Sequence, residues 1–169
     1  MDGRPAFPPT GEGAETDTAQ ARLAEVLGLI ERLHRLQLDI VKDEFERLGI
    51  ADINPVQAMI LFNVSHREVT ATELRNRGFY QGSNITYNLK RLVDLGYMVQ
   101  RRSLTDGRVT WVRLTEDGRR IERVVAAMIA RHAQRLTEGP HLAPDRLDET
   151  RDALLALEGY LKDQIRYIY

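Results

Sequence analysis

Between Ser83 and Arg91 the chain reads Ser-Asn-Ile-Thr-Tyr-Asn-Leu-Lys-Arg, a run of hydrogen-bonding side chains interrupted only by Ile85 and Leu89. On a helix those two apolar residues lie one turn apart and anchor inward, which leaves Ser83, Asn84, Thr86, Tyr87 and Asn88 to be offered outward. An asparagine amide can pair with adenine through two hydrogen bonds, and hydroxyls can reach bases or phosphates. Lys90 and Arg91, a turn later, are charges placed for a phosphate backbone. An ordinary surface helix mixes charge signs, yet no acid occurs here before Asp94. This chemistry suits a helix lying in the major groove of double-stranded DNA.

A basic hairpin follows, Tyr97–Leu114, with Arg101, Arg102 and Arg108 around the turn Thr105-Asp106-Gly107-Arg108. An arginine at a hairpin tip can enter the minor groove, where the potential is most negative over narrow A·T tracts. Asp106 would pair with such an arginine and hold it in position. Taken alone, Asp106-Gly107 is no more than turn chemistry. It gains weight from its place after two helices, Thr70–Gly78 and Ser83–Gly96, and before the cap Thr115-Glu116-Asp117-Gly118. Charge follows the same division: Arg75 to Arg120 holds ten basic residues against four acids, a net of +6 that leaves −7 for the rest of a chain of net −1. A basic stripe on an acidic body suits capture of a polyanion by one face.

The elements that must position these residues are helical. Asp17 to Leu48 carries Leu23, Val26, Leu27, Ile30, Leu33, Ile40, Val41 and Phe45 mostly at steps of three and four. Leu29, Leu36 and Leu38 widen that stripe, so the helix is expected to bury two faces. Gly49 stops it, and Asn54-Pro55 opens a second helix through about Val64. Thr70 and Glu73 form a capping box. Thr115 caps a fifth helix running to about Leu136, and a sixth follows Pro144. In the sixth, Leu147, Leu154, Leu161 and Ile168 repeat at heptad spacing, as an interhelical seam would. The expected fold is therefore mainly α with a small β-hairpin. Residues 1–16, rich in Pro, Gly and acid, read as a disordered tail. Residues 54–118 read as the winged helix-turn-helix domain, and 17–49 with 119–169 as flanking dimerisation helices.

Several functions are disfavoured by what the sequence lacks. The chain has no cysteine, so disulfides, thiolate catalysis and cysteine-ligated metals are excluded. His34, His66, His132 and His141 are far apart, and a lone histidine on an amphipathic helix is more often a packing residue than a ligand. No nucleophile–base set, glycine-rich phosphate loop or carboxylate pair is recognisable, so neither an enzyme nor a cofactor is expected. With no signal-peptide core or membrane-spanning run, a cytoplasmic protein is expected.

Thr70–Gly118 resembles the winged helix of MarR-type bacterial transcriptional regulators, and flanking helices extend the resemblance from about Thr18 to the C-terminus. The residues carrying it are Val69-Thr70-x-x-Glu73-Leu74, then Leu92-Val93-Asp94-Leu95-Gly96-Tyr97. The wing Arg101-Arg102…Asp106-Gly107-Arg108 and Leu114-Thr115-Glu116-Asp117-Gly118 complete it. The segment from Arg75 to Tyr97 is similar to an alphaproteobacterial branch linked to cell-wall remodelling and stress genes. The resemblance implies a homodimeric repressor with interlocked terminal helices, a pseudo-palindromic operator and release by a small-molecule effector. One departure is the turn Gly78-Phe79-Tyr80-Gln81-Gly82, where many members have Leu-Gly-Leu-Ser. Phe79 and Tyr80 could line a ligand cleft, although aromatic residues in turns more often pack. Two other readings stay open: a winged-helix protein–protein adaptor that has lost DNA binding, and a metal-responsive regulator.

Overall fold

The structure is a computed structural model that describes residues 12–76, 82–103, 105, 109–138 and 142–168, without the side chains of 12–17, 75–76, 82–84 and 167–168. Helices α1 (Glu12–Leu48) and α2 (Pro55–Val64) are followed by strand β1 (Val69–Thr70) and helices α3 (Ala71–Asn76) and α4 (Gly82–Asp94). Strands β2 (Met98–Arg102) and β3 (Thr110–Leu114) then lead to α5 (Glu116–Glu138) and α6 (Pro144–Ile168). The chain divides into two compact units, residues 1–58 and 59–169, with the division inside α2. No helix of the described residues is long and apolar enough to cross a membrane.

In the first unit α1 begins at Glu12, five residues ahead of the expected Asp17. It ends in a Schellman motif: Gly49 takes φ 71°, its N–H donates to the Glu46 carbonyl, and Ile50 N–H donates to the Phe45 carbonyl. Glycine suits this site because a Cβ disfavours the left-handed conformation. Asn54 caps α2 as its side-chain oxygen accepts from Gln57 N–H at 2.9 Å, and Gln57 Oε1 accepts in return from Asn54 N–H at 3.1 Å. Two otherwise orphaned donors are satisfied by one reciprocal pair.

In the second unit the expected hairpin becomes a three-stranded antiparallel sheet ordered β1-β3-β2. Val69 pairs with Val112 and Thr70 with Trp111, while Met98 pairs with Leu114 and Arg101 with Trp111. Alternation sends Val69, Met98, Val112 and Leu114 into the core and leaves Val99, Arg101 and Arg113 exposed. Leu74, Ile85, Leu89 and Leu92 supply the helical side of the same core, together with Ile121, Val125 and Met128 of α5. The Thr70–Glu73 box forms as expected: Glu73 N–H donates to Thr70 Oγ1 at 3.0 Å, and Thr70 N–H donates to Glu73 Oε2 at 2.7 Å. Thr70 thus ends a strand and starts a helix at one residue.

Candidate nucleic-acid interface

Helix α4 presents two unlike faces. Ile85, Asn88, Leu89 and Leu92 are buried, at successive positions of one helical stripe. Thr86, Tyr87, Lys90 and Arg91 are exposed on the other side, Tyr87 at 68% of its full surface. Lys90 and Arg91 make no ion pair with a described residue, so their charges remain available to an incoming anion. An aromatic ring left this open is unusual on a monomer surface, and here it stands between a hydroxyl and two cations.

Asn88 requires a correction. Read as one of the base-facing residues, it is instead buried at 8% exposure, three residues after Ile85 and four before Leu92. Helical geometry outweighs polarity: any residue at that spacing points with the apolar stripe. Asn88→Ala is therefore expected to lower the melting temperature while leaving base preference unchanged. Thermal melts and competition binding with single-base operator variants would check this, and a changed base preference with normal stability would refute it.

The end of α4 is tied to the start of α5. Gly96 takes φ 79°, Gly96 N–H donates to the Val93 carbonyl, and Tyr97 N–H donates to the Leu92 carbonyl at 2.9 Å. The freed Gly96 and Tyr97 carbonyls then accept from Thr115 Oγ1 at 2.7 Å and Thr115 N–H at 3.0 Å. Thr115 Oγ1 in turn accepts from Gly118 N–H at 3.2 Å, capping α5. Helix α4, the base of the β2–β3 hairpin and α5 are thus joined through a single threonine.

The wing's described part carries Arg101 and Arg102, both exposed. Arg101 Nη2 lies 3.4 Å from Glu68 Oε2, which steadies it against the turn before β1. The Ser83 and Asn84 side chains, Asp106, Arg108, Phe79 and Tyr80 lie outside the described residues. At the head of α5, Glu116 accepts from Arg119 at 2.9 Å and from Arg123 at 3.2 Å. Those hydrogen bonds, Arg119 first, hold its carboxyl below the ordinary value of 4.5. A lowered folded-state pKa gives stability above the unfolded value that is lost as pH falls through the folded one. Acid melts below about pH 4.5 should therefore show a small loss that Glu116→Gln removes; it is small because the carboxylate is exposed.

A helix-turn-helix with a two-stranded wing, a cation-bearing outer helix face and a capped return helix defines a winged-helix protein. Residues 53–118 match the winged helix DNA-binding domain. The chain is 39% identical over 97 residues to the exopolysaccharide II synthesis transcriptional activator ExpG of Rhizobium meliloti (strain 1021), an alignment covering 57% of this chain and 50% of the relative. The chain thus spans about half the length of the curated relative it matches. The crystal structure of the transcriptional regulator SlyA superposes with TM-score 0.71 at 15% identity, covering 85% of this chain and 99% of that one. A mutant MarR from E. coli complexed with operator DNA superposes with TM-score 0.64 at 21% identity, covering 80% and 95%. Residues 53–118 are thus similar to winged helix DNA-binding domains, and the chain has the fold of the MarR and SlyA regulators, as the resemblance implied.

Proposed function

We propose that this protein is a sequence-specific transcriptional regulator that binds a pseudo-palindromic operator as a homodimer. The observation that carries the reading is the outer face of α4, where Thr86, Tyr87, Lys90 and Arg91 stand exposed with no acid before Asp94. Ser83 and Asn84 at the head of the helix would read base edges, and Arg108 would enter the flanking minor groove. Lys90, Arg91 and Arg101 would hold phosphates, with Asp106 steadying the wing tip. An adaptor that had lost DNA binding would have no use for two exposed cations on this face without an ion pair among the described residues. Among the described residues no group of three His, Asp or Glu side chains is placed to share a metal, and no observation favours the metal-responsive reading.

The dimer is supported by apolar surface that one chain leaves open. On α1, Val26, Leu33 and Ile40 recur every seven residues and all are exposed, flanked by Leu29 and Leu36. On α6, Leu147, Leu154 and Leu161 do the same. Monomers rarely expose contiguous apolar patches of this kind. Residues 17–49 and 119–169 are therefore assigned to dimerisation and 54–118 to DNA. Two heads so held would meet half-sites about 34–36 Å apart. Repression follows where the operator overlaps a promoter; ExpG is named an activator, which favours a second reading in which the same dimer activates from an upstream site. Its role makes exopolysaccharide genes the first promoters to test. A small-molecule effector acting near Phe79 and Tyr80 would modulate binding.

The test is base preference. Asn84→Ala is expected to relax discrimination by about 1–3 kcal/mol at a single base position, measured by competition among operator variants. An unchanged preference would remove Asn84 from the reading head.

A further inference from the structure

Away from α4, the turn that joins α2 to β1 borders the outer side of β3 and leaves an open cavity of about 370 Å3. Arg67 comes to it from the turn, Arg113 from β3 and Arg119 from the first turns of α5. Ser65, at φ 51°, begins the turn in a backbone conformation uncommon outside glycine and also lines the cavity, as does His66. The one acid among the lining residues, Glu68, is already answered by Arg101 at 3.4 Å. Arg119 is likewise engaged, by Glu116 at 2.9 Å and the Leu114 carbonyl at 3.5 Å. Arg67 and Arg113 have no carboxylate partner among the described residues. Arg67 and Arg113 thus line one concavity whose one lining carboxylate, Glu68, is paired with Arg101, beside a hydroxyl and an imidazole.

We propose that this cavity is an oxyanion site that takes one phosphate-type group. Guanidinium forks match phosphate oxygens two at a time, and an anion between them relieves their mutual repulsion. None of the residues lining it belongs to α4, so the site is distinct from the base-reading face. Two sources can present the same group: free phosphate, as on a small effector, or the backbone of bound DNA. Trp111 is the chain's single tryptophan and lies two residues from Arg113 along β3, which makes it a built-in reporter.

The full-length protein is titrated with inorganic phosphate at constant ionic strength, followed by calorimetry and Trp111 fluorescence. Saturable binding is expected, weakened at least tenfold, by order of magnitude, in R67Q/R113Q. In parallel, the salt dependence of binding to duplex DNA is measured for the wild type and R67Q/R113Q. A slope shallower by about two units in the double variant, one for each chain on the duplex, assigns the site to a DNA phosphate; an equal slope with phosphate binding assigns it to a free anion. Circular dichroism of the variant confirms folding, since both arginines are exposed. Phosphate binding that the double variant retains in full would overturn the site. So would the absence of saturable phosphate binding together with an unchanged salt slope. The phosphate arm needs no operator, so its failure is distinguishable from a failure of base reading.

Discussion

Leu154→Asp should convert the proposed dimer to a monomer and cost operator affinity a hundredfold or more, by order of magnitude. In a single chain Leu154 is 43% exposed, in the middle of the heptad series from Leu147 to Leu161. The substitution therefore costs the isolated chain little. Buried against a second copy, a carboxylate with no partner loses several kcal/mol of hydration, as well as the roughly 1.5–3 kcal/mol that a covered leucine contributes. With one head per molecule, each half-site must be held without the other. Leu33→Asp on α1, where the side chain is 61% exposed, should act the same way. Analytical ultracentrifugation with circular dichroism would check the pair. Helical dimers persisting in both variants would mean that these faces are not the seam.

Gly118→Ala should destabilise the protein by about 3 kcal/mol, lowering the melting temperature of the 169-residue chain by roughly 6–12 °C. A Cβ at this position would fall on the Tyr97 carbonyl oxygen and meet its carbon at 3.1 Å and Leu114 Cβ at 3.3 Å. The obstacle is backbone, which cannot rotate aside as a side chain can. Displacing the Tyr97 carbonyl also breaks its 3.0 Å hydrogen bond from Thr115 N–H, and with it the link between α4 and α5. The same change at Gly159 of α6, where an added Cβ meets nothing within 4 Å, should be neutral or slightly stabilising. Equal melting temperatures for both variants would contradict the close approach at Gly118.

Local chemistry makes much of this legible in the sequence. Thr70, Glu73, Gly96 and Thr115 act through partners a few residues away or through a backbone angle, and each formed the cap or stop expected of it. The apolar anchors of α4 were legible for the same reason, because helical spacing alone selects Ile85, Leu89 and Leu92. Asn88 misleads because its polarity points outward while its spacing from those anchors places it with the buried stripe. The Asn54–Gln57 pair was only half seen, its glutamine being hidden within an apolar run. Strand β1 has two residues, too few to show a period, and exists only because β3 offers it an edge. The arginine cavity is wholly non-local, since Arg67 and Arg113 lie far apart in sequence and meet only through the sheet.

One measurement addresses both the proposed reading face of α4 and its proposed doubling by symmetry. Random duplex DNA is selected by the purified protein at physiological salt, and the enriched fragments are sequenced and re-bound with stoichiometry determined. The expected product is a pseudo-palindrome with half-sites one helical turn apart. Two chains should bind it, at least about a thousandfold more tightly than random sequence. Fragments without a common motif, bound no better than the starting pool, would contradict the assignment of Ser83–Arg91 as a base-reading surface.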